Sequence, residues 1–485
     1  MIVYTKISKN LLSLLIGKSL ELIITLVSIT LIARYLGVEK YGLFISIVAL
    51  TYLISKVIDF GLAPIVFREN SKLKVSDSLI NTAFTLRIIF FFVLLISFNI
   101  ISPFTNLTNT EIIYSNILFL NIIFSAKYMN FRELLEIEFK VNHNMFYVVV
   151  FNAVDSLLLL SFVILMPFVN GNLEYLVFGY VISNLPGFLG LIIYLKKKYG
   201  YTFKFNLSQA AWLMREAFPL YGTVILTALF QQADILFLRS LDTTHAVGIY
   251  AAAIRLTTPL GIIPLALITT VFPIIVKNRE NGTSVTKLTT NLVYKTLFLF
   301  AFSISLVVSF KAKIFVSLIF GEMYIEAYLP MIILFWSFLF VYFNTFTLNL
   351  LTAFNLQKYN FFFTLILVVI NFALIFLLVS DFSYVGTAIA KLGAGFAGSL
   401  FFVLILNKSQ IHYKFYSLRI FLWSVLTLLI IFILSYLPIY IYVFLALVTV
   451  AYLTLKIKFY TMEELDTILN IINKSSWKEK ILKII

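Results

Sequence analysis

Charged side chains lie inside the long apolar runs of this sequence, where charge is costly and therefore indicates function. The basic residues within the runs are Lys18, Lys56, Arg87, Arg255, Lys295 and Lys391. The acidic residues are Glu21, Asp59, Asp155 and Asp234. Cations in such positions can bind an anionic substrate, and single carboxylates can bind H⁺ or Na⁺ and couple transport to an ion gradient.

Arg255 is the strongest candidate for binding an anion. It lies well inside residues 247–276, a run long enough to cross a bilayer, and no acid is within reach on its own helix. Its guanidinium can bind two oxygens of a diphosphate at once. The same run contains Pro259, Pro264 and Pro273, and prolines interrupt helical hydrogen bonds. These features predict a bent helix that lines a water-filled cavity.

The depth of each remaining cation within its run separates functional from structural candidates. Lys56 and Lys391 lie deep, so we predict that they add positive potential to the same site. Lys18 and Arg87 lie nearer to an end and form a weaker set of substrate-binding candidates. Lys295 is close enough to a helix end for its ammonium to reach the interface, which favours a structural role.

Ion pairing is the competing explanation for several of these charges. Lys18 and Glu21 are three residues apart on one predicted helix face, as are Lys56 and Asp59, so each pair could neutralise itself. A single carboxylate is more often the partner of a cation than a coupling site. With that alternative open, the predicted ion-coupling candidates are Asp59, Asp155, Asp234 and Glu21.

Composition places the chain among multi-pass membrane proteins. Of its 485 residues 61% are hydrophobic and 12% are charged, whereas a soluble domain is about half apolar and about a quarter charged. The net charge of +15 suits lysines that face anionic lipid, since no soluble basic domain is present to bind nucleic acid. The absence of cysteine excludes disulfides, thiolate metal sites and cysteine nucleophiles.

No cofactor or metal is predicted. The three histidines, His143, His245 and His412, each fall in or beside a predicted loop, which does not suit a metal cluster. The glycines of residues 393–398 are typical of close helix packing, and no phosphate-binding loop follows a strand. H⁺ or Na⁺ would act only as a coupling ion.

Apolar runs of about 20 residues predict an all-α integral membrane protein with about 14 transmembrane helices. The first run has no cleavage site and is long enough to remain as a helix. The predicted helices span residues 11–33, 42–66, 80–102, 111–130, 143–169, 173–195, 214–238, 246–276, 291–312, 328–353, 358–380, 384–406, 417–437 and 439–457. With the N-terminus in the cytoplasm, most of the 37 lysines and arginines fall on the cytoplasmic side, so both termini are predicted there.

An internal repeat predicts the organisation of these helices. ARYLGVEKYGLF (residues 33–44) leads from helix 1 into helix 2, and LRSLDTTHAVGIY (residues 238–250) leads from helix 7 into helix 8. Six helices separate the copies, so the repeats are parallel and form two six-helix lobes around a central cavity. The predicted division is 1–200 for the N-lobe, 201–410 for the C-lobe, 411–457 for helices 13 and 14, and 458–485 for an amphipathic cytoplasmic tail.

These strings, with DFGLAPIVFRE (residues 59–69) and more loosely YVGTAIAKLGAGF (residues 384–396), resemble the O-antigen and polysaccharide exporter family. That family belongs to the multidrug/oligosaccharidyl-lipid/polysaccharide exporter superfamily. The resemblance implies a flippase, and not an enzyme, that moves a polyprenyl-diphosphate-linked oligosaccharide across the inner membrane by alternating access. It implies membrane lipids and a polysaccharide polymerase or export machinery as partners.

Three alternatives stay open on the sequence alone. A cation-coupled multidrug exporter of the same superfamily should have a more acidic cavity, whereas basic residues outnumber acids inside the runs here. A flippase for a lipid-linked peptidoglycan precursor would look the same at this level. A membrane polymerase or ligase would need a large outer-face domain, and no predicted loop is long enough for one.

Overall fold

The computed structural model describes residues 2–72, 77–142, 144–199, 206–278, 283–409, 411 and 417–464. The side chain of Lys18, the loop histidines His143 and His412, and the predicted tail beyond residue 464 lie outside the described set.

Sixteen α-helices make up most of these residues, and the described ranges contain no strand. The helices are α1 Ile2–Asp59, α2 Leu62–Lys72, α3 Asp77–Ile101, α4 Asn109–Phe124, α5 Phe131–Val141, α6 Met145–Leu165, α7 Leu173–Ile182, α8 Leu185–Tyr199, α9 Leu207–Leu241, α10 Thr244–Thr257, α11 Ile262–Asn278, α12 Thr283–Phe320, α13 Tyr328–Ala353, α14 Lys358–Lys408, α15 Leu418–Leu434 and α16 Ile439–Lys456.

Ten helical segments of the described chain are long and apolar enough to cross a membrane. Two of them, in α1 and α14, each contain two of the predicted spans. Within the described residues α15 is a shorter apolar helix at a further predicted span, and α4 occupies most of the fourth predicted span. A helix satisfies its own backbone hydrogen bonds, which is why a chain this apolar folds almost wholly as helix. The predicted all-α membrane fold is confirmed.

Two sharp kinks divide the longest helices. Gly37 has φ +75° inside α1, where a glycine adopts the left-handed region without steric cost. Ser383 has φ +49° inside α14. Each kink lies between two predicted spans, so the chain reverses direction there with little or no connecting loop.

The fourth predicted span, residues 111–130, is shorter than predicted. Helix α4 ends at Phe124 because Ser125 adopts an extended conformation (ψ 135°), and a 3₁₀ turn, Ala126–Tyr128, follows. Met129 then has a left-handed φ of 49°. The chain enters α5, which was predicted as loop but is a short helix that buries most of its residues, charged ones included. The carbonyl groups freed by this break need partners, and basic side chains supply them.

The predicted bend of the eighth span is confirmed at Pro259. Helix α10 ends at Thr257, a 3₁₀ turn covers Thr258–Gly261, and α11 begins at Ile262. Pro259 lies in the first turn of the 3₁₀ segment, where its missing N–H costs nothing. Pro273 lies inside α11.

The chain divides into two compact units, Met1–Ala251 and Ala252–Ile485. In the first unit α1 packs against α4, α6 and α9, and α9 also packs against α2 and α3. Buried apolar residues fill the spaces between these helices, in one cluster shared by α2, α3, α5 and α9 and another shared by α5, α6 and α8. Helix α9, the first of the predicted C-lobe, therefore belongs to the first unit. The predicted division of the chain into lobes at residue 200 stays a prediction.

In the second unit α13 lies against both α12 and α14, and α15 and α16 pack against α12. Trp423, Phe302 and Tyr442 form the centre of the latter packing. The Tyr442 hydroxyl donates to the Val307 carbonyl at 2.8 Å, which joins α16 to α12.

Candidate functional site: buried charges and an unpaired arginine

Asp59 and Arg87 form an ion pair in the first unit. Asp59 ends α1, where Phe60 and Gly61 (φ 51° and 71°) turn the chain into α2. Arg87 lies on α3 with no solvent exposure, and one of its amino groups pairs with Asp59 Oδ1. The other donates to the Asn130 carbonyl at 2.5 Å. Two predicted site residues, one cation and one acid, thus neutralise each other.

Lys56 contacts the segment between α4 and α5. Within the described residues it forms no ion pair with Asp59. Its Nζ donates to the carbonyl oxygens of Tyr128 at 2.9 Å and Met129 at 3.4 Å. The ammonium also lies 5.4 Å from the centre of the Tyr52 ring. The pairing predicted from the three-residue spacing is therefore replaced by a contact with another segment, and the positive charge compensates two carbonyls at the end of the 3₁₀ turn that follows α4.

Asp155 pairs with Arg132, which the sequence placed in a cytoplasmic loop. Arg132 is fully buried at the start of α5, and its guanidinium donates to Asp155 and, at 2.8 Å, to Asn152 Oδ1. The backbone N–H of Gly187 on α8 donates to Asp155 Oδ1 at 2.9 Å. The carboxylate thus connects α5, α6 and α8, which is a structural role. Whether it also couples transport to an ion gradient stays a prediction.

The contact between Gly187 and Asp155 leads to a first prediction. A Cβ at Gly187 would lie 2.6 Å from the Asp155 carboxyl carbon, so a methyl group must displace the carboxylate from Arg132. We expect Gly187→Ala to lower the free energy of unfolding by about 1–3 kcal/mol, as overpacking of a tight core does. Thermal unfolding in detergent measures it. Gly261→Ala is the matched control, because nothing lies within 4 Å of its Cβ. Equal melting temperatures for the two variants would contradict the prediction.

Helix α5 adds further buried charge near these pairs. Glu136 lies 3.9 Å from both Arg132 and Lys140. Burial raises the pKa of the Glu136 carboxyl above its ordinary value, and the two cations lower that pKa only in part. Glu21 of α1, a predicted coupling residue, is close enough to raise the pKa of Glu136 further. Five of the predicted site residues, Lys56, Asp59, Arg87, Asp155 and Glu21, therefore lie with α5 in one network of charges around the break after α4.

Asp234 is fully buried on α9 and accepts a hydrogen bond from the Tyr250 hydroxyl of α10 at 2.6 Å. Tyr250 is itself completely buried, so this bond fixes the angle at which α9 meets α10. A coupling role for Asp234 stays a prediction.

Lys295 forms a buried ion pair with the segment that follows α16. Its Nζ donates to both carboxylate oxygens of Glu464 at 2.8 Å, and the neighbouring Thr296 hydroxyl lies 3.0 Å from the Tyr460 hydroxyl. Burial raises the pKa of Tyr460 to about 12. The structural role predicted for Lys295 is thus a contact with Glu464, and the sequence alone pointed to the membrane interface.

Arg255 contrasts with the other basic residues described so far. Within the described part of the chain its guanidinium forms neither an ion pair nor a hydrogen bond, and Nε is inaccessible to solvent. The residue lies in the last turn of α10, next to the 3₁₀ break. The Tyr342 hydroxyl donates to the Leu260 carbonyl at 2.7 Å, so α13 supports the break directly. Lys391 lies half-buried on α14.

Comparison with known proteins identifies the family and the fold. Residues 7–279, more than half of the chain, match the family model described as polysaccharide biosynthesis protein. The sequence matches none of the curated proteins. A structure of the lipid II flippase MurJ in an inward closed conformation superposes with a TM-score of 0.74 at 15% identity, covering 90% of this chain and 97% of that one.

Other transporters share the fold. An inward-facing multidrug resistance MATE family transporter of the MOP superfamily has a TM-score of 0.60 at 13% identity over 80% of this chain and 95% of its own. A MOP superfamily transporter from Pyrococcus furiosus has a TM-score of 0.54 at 15% identity over 83% and 95%. The chain is therefore a multi-pass membrane protein with the fold of these transporters, and by the match over residues 7–279 it belongs to the polysaccharide biosynthesis protein family.

Proposed function

We propose that this protein is a flippase that moves a polyprenyl-diphosphate-linked oligosaccharide from the inner to the outer leaflet of the cytoplasmic membrane. In this proposal both termini lie in the cytoplasm and the glycan serves assembly of a cell-surface polysaccharide. The family match supports a role in polysaccharide synthesis. The superposition on a lipid II flippase supports the fold that such a step requires.

The observation that carries the proposal is the unpaired guanidinium of Arg255. A cation inside a membrane protein is costly unless a counter-charge compensates it. Arg87, Arg132 and Lys295 have carboxylates as partners, and Lys56 has carbonyls. Arg255 has none in the described chain, so a diphosphate can supply both the charge and the acceptor oxygens. Lys391 is the proposed source of further positive potential. Arg87 and Lys56 each have a partner of their own, the Asp59 carboxylate and the Tyr128 carbonyl, which favours structural roles for both.

The break beside Arg255 supports a moving substrate site. Residues 258–261 interrupt the helix immediately after Arg255, and the Tyr342 hydroxyl holds one of the carbonyls there. A change in the angle between α10 and α11 would move the guanidinium without unfolding either helix, which suits alternating access. Ion coupling through Asp59, Asp155, Asp234 or Glu21 belongs to the same proposal.

A flipping assay in vesicles tests the proposal. Purified protein is reconstituted with a polyprenyl-diphosphate-linked oligosaccharide in both leaflets, and an impermeant periodate reagent is added outside to oxidise the exposed glycan. We expect oxidation to approach completion with the protein and to stop at the outer-leaflet fraction without it. An ion gradient imposed and then collapsed, in the wild type and in Asp234→Asn, tests coupling.

Other substrates in the same assay distinguish the alternatives. If the protein flips a lipid-linked peptidoglycan precursor but not the oligosaccharide, the proposed substrate is wrong and the flippase assignment stands. If neither lipid moves while a fluorescent organic cation accumulates, the protein is a drug exporter. No movement of any of the three by correctly folded protein would contradict the proposal as a whole.

A further inference from the structure

Helix α5 brings three acids to two cations. Asp155 of α6 and Glu133 and Glu136 of α5 all lie at ion-pair distance from Arg132 or Lys140. Each cation has a nearer acid than Glu136, because Arg132 donates to Asp155 and Lys140 lies 3.6 Å from Glu133. Glu136 lies 3.9 Å from both cations. With three negative charges and two positive ones, Glu136 is the acid in excess.

Glu136 also has no hydrogen-bond donor within the described residues. The residue is 9% exposed, and 3.9 Å is too long for a hydrogen bond, which spans about 2.7–3.2 Å. On the other side of this gap, Nε of Arg132 has no acceptor and is inaccessible to solvent. A carboxyl group that is buried without donors costs more free energy charged than neutral. The position of Glu136 therefore favours a bound proton.

The other charged groups around Glu136 do not remove this excess. Burial raises the pKa of the Glu136 carboxyl most, Lys140 and Arg132 lower that pKa only in part, and Glu133 and Glu21 raise it further. The remaining described charges on α5 and on the helices packed against it have partners of their own or lie exposed: Arg87 with Asp59, Arg68 and Lys72 with Glu69, Lys198 with Tyr194, Glu111 with Arg239, Glu138 with Asn142, and the exposed Lys196 and Lys197.

We infer that Glu136 is a proton-binding site, and that its proton decides which acid holds Arg132. With the proton bound, Glu136 is neutral and Arg132 stays on Asp155, as in the structure. When the proton leaves to solvent, the Glu136 carboxylate lies one helical turn from Arg132 and competes with Asp155 for the guanidinium. The site is thus a pH-sensitive switch on α5.

Release of Arg132 loosens one particular contact. Asp155 joins three helices, because it lies on α6 and accepts from Arg132 of α5 and, at 2.9 Å, from the Gly187 N–H of α8. Without Arg132 only the connection between α6 and α8 remains, so loss of the proton frees α5 from α6. A part for this movement in glycan transport rests on the proposed function, but the proton and the contact are properties of the empty protein.

Infrared spectroscopy measures the proton directly. Empty protein in detergent is titrated from about pH 5 to about pH 8, and the C=O stretching band of protonated carboxylic acids is compared between the starting protein and Glu136→Gln. The difference should be an acid band that persists well above about pH 4.3, where an ordinary glutamate ionises, and that disappears as the pH rises. Glu39→Gln, a change at an exposed glutamate of α1, is the matched control and should remove no band in this range.

Removal of a competing acid should lower the pH at which that band disappears. Glu133→Gln frees Lys140, and Asp155→Asn frees Arg132, so in each case a cation becomes available to the Glu136 carboxylate. Glu133 is the more exposed of the two acids. Glu133→Gln therefore keeps the test valid where Asp155→Asn fails to fold.

Cysteine labelling measures the switch, because the natural chain contains no cysteine. Val148→Cys reports the contact, since Val148 is 2% exposed in the apolar cluster shared by α5, α6 and α8. At the alkaline end of the titration a maleimide should label it several-fold more slowly when Glu136→Gln is also present. At the acid end the two rates should agree. Ala301→Cys, buried in the second unit, should label slowly in both proteins.

Three results would each overturn the inference: a missing acid band, a band whose pH does not change with Glu133→Gln, or labelling of Val148→Cys that Glu136→Gln does not slow. No glycan is present in these measurements, so each result leaves the flipping assay to decide the proposed function separately. If all three results are as expected and no lipid moves in the flipping assay, only the proposed function is wrong.

Discussion

Glycan transport by Arg255→Ala is expected to fall to the level of protein-free vesicles, while the variant inserts and melts like the starting protein. The reason is that Arg255 has no partner in the described chain, so its removal leaves no buried acid there without a counter-charge. A residue that serves only the substrate can be lost without loss of stability. The flipping assay and thermal unfolding in detergent measure the two quantities on the same preparation.

Conservative and control variants make this test specific. Arg255→Lys should recover only part of the transport, because lysine keeps the charge and loses the two-pronged hydrogen-bonding geometry. Arg215→Ala is the matched control, since Arg215 is an exposed arginine on α9. Restoration of transport by Asp234→Asn in the Arg255→Ala background would refute diphosphate binding, because it would show that the two residues act as a pair.

The opposite result is expected for Arg87→Ala. This change leaves the Asp59 carboxylate buried without its counter-charge, which costs on the order of 3–5 kcal/mol. It also removes a donor from the Asn130 carbonyl. We therefore expect a much lower melting temperature and a lower protein level in the membrane, with transport falling in proportion to the folded protein that remains.

A double replacement separates charge from shape at this pair. Arg87→Met with Asp59→Leu removes both charges and should recover most of the stability, because two apolar side chains do not carry the desolvation cost of the ions. If the single variant retains its stability but stops transport, Arg87 is a substrate ligand and the structural assignment is wrong. If the double variant is stable and flips the glycan after the ion gradient has collapsed, but an imposed gradient no longer drives flipping, Asp59 contributes to coupling.

The length and spacing of the apolar runs were enough to predict the membrane fold. A bilayer requires about 20 apolar residues per crossing, and each helix satisfies its own backbone, so the spans can be read from local sequence. A bend in the eighth span was also predicted from local sequence, because proline lacks the N–H that a helix interior needs, and the structure has the break at Pro259. The end of α4 was not predicted, although the polar residues 125–130 were its local signal.

Partners of the buried charges could be found only in the tertiary structure. Spacing along one helix suggested Lys56 with Asp59, yet Asp59 pairs with Arg87 and Lys56 binds the carbonyls of Tyr128 and Met129. Arg132 looked like a loop residue because α5 is too short and too polar to be recognised as a buried helix. A helix presents each side chain to whichever helix packs beside it, and the spacing of residues along one helix does not identify that neighbour.

The repeat shows the same division between local sequence and packing. The sequence by itself determined that Gly42 and Gly248 occupy equivalent places in two copies of one motif, because each precedes an apolar and an aromatic residue at the start of a helix. Only the tertiary structure decided that the two glycines meet, since that requires α1 and α10 to cross at backbone contact. In the same way the sequence determined that Arg255 lies deep in an apolar run. Only the packing of the described residues around it decided that its guanidinium is left without a protein partner.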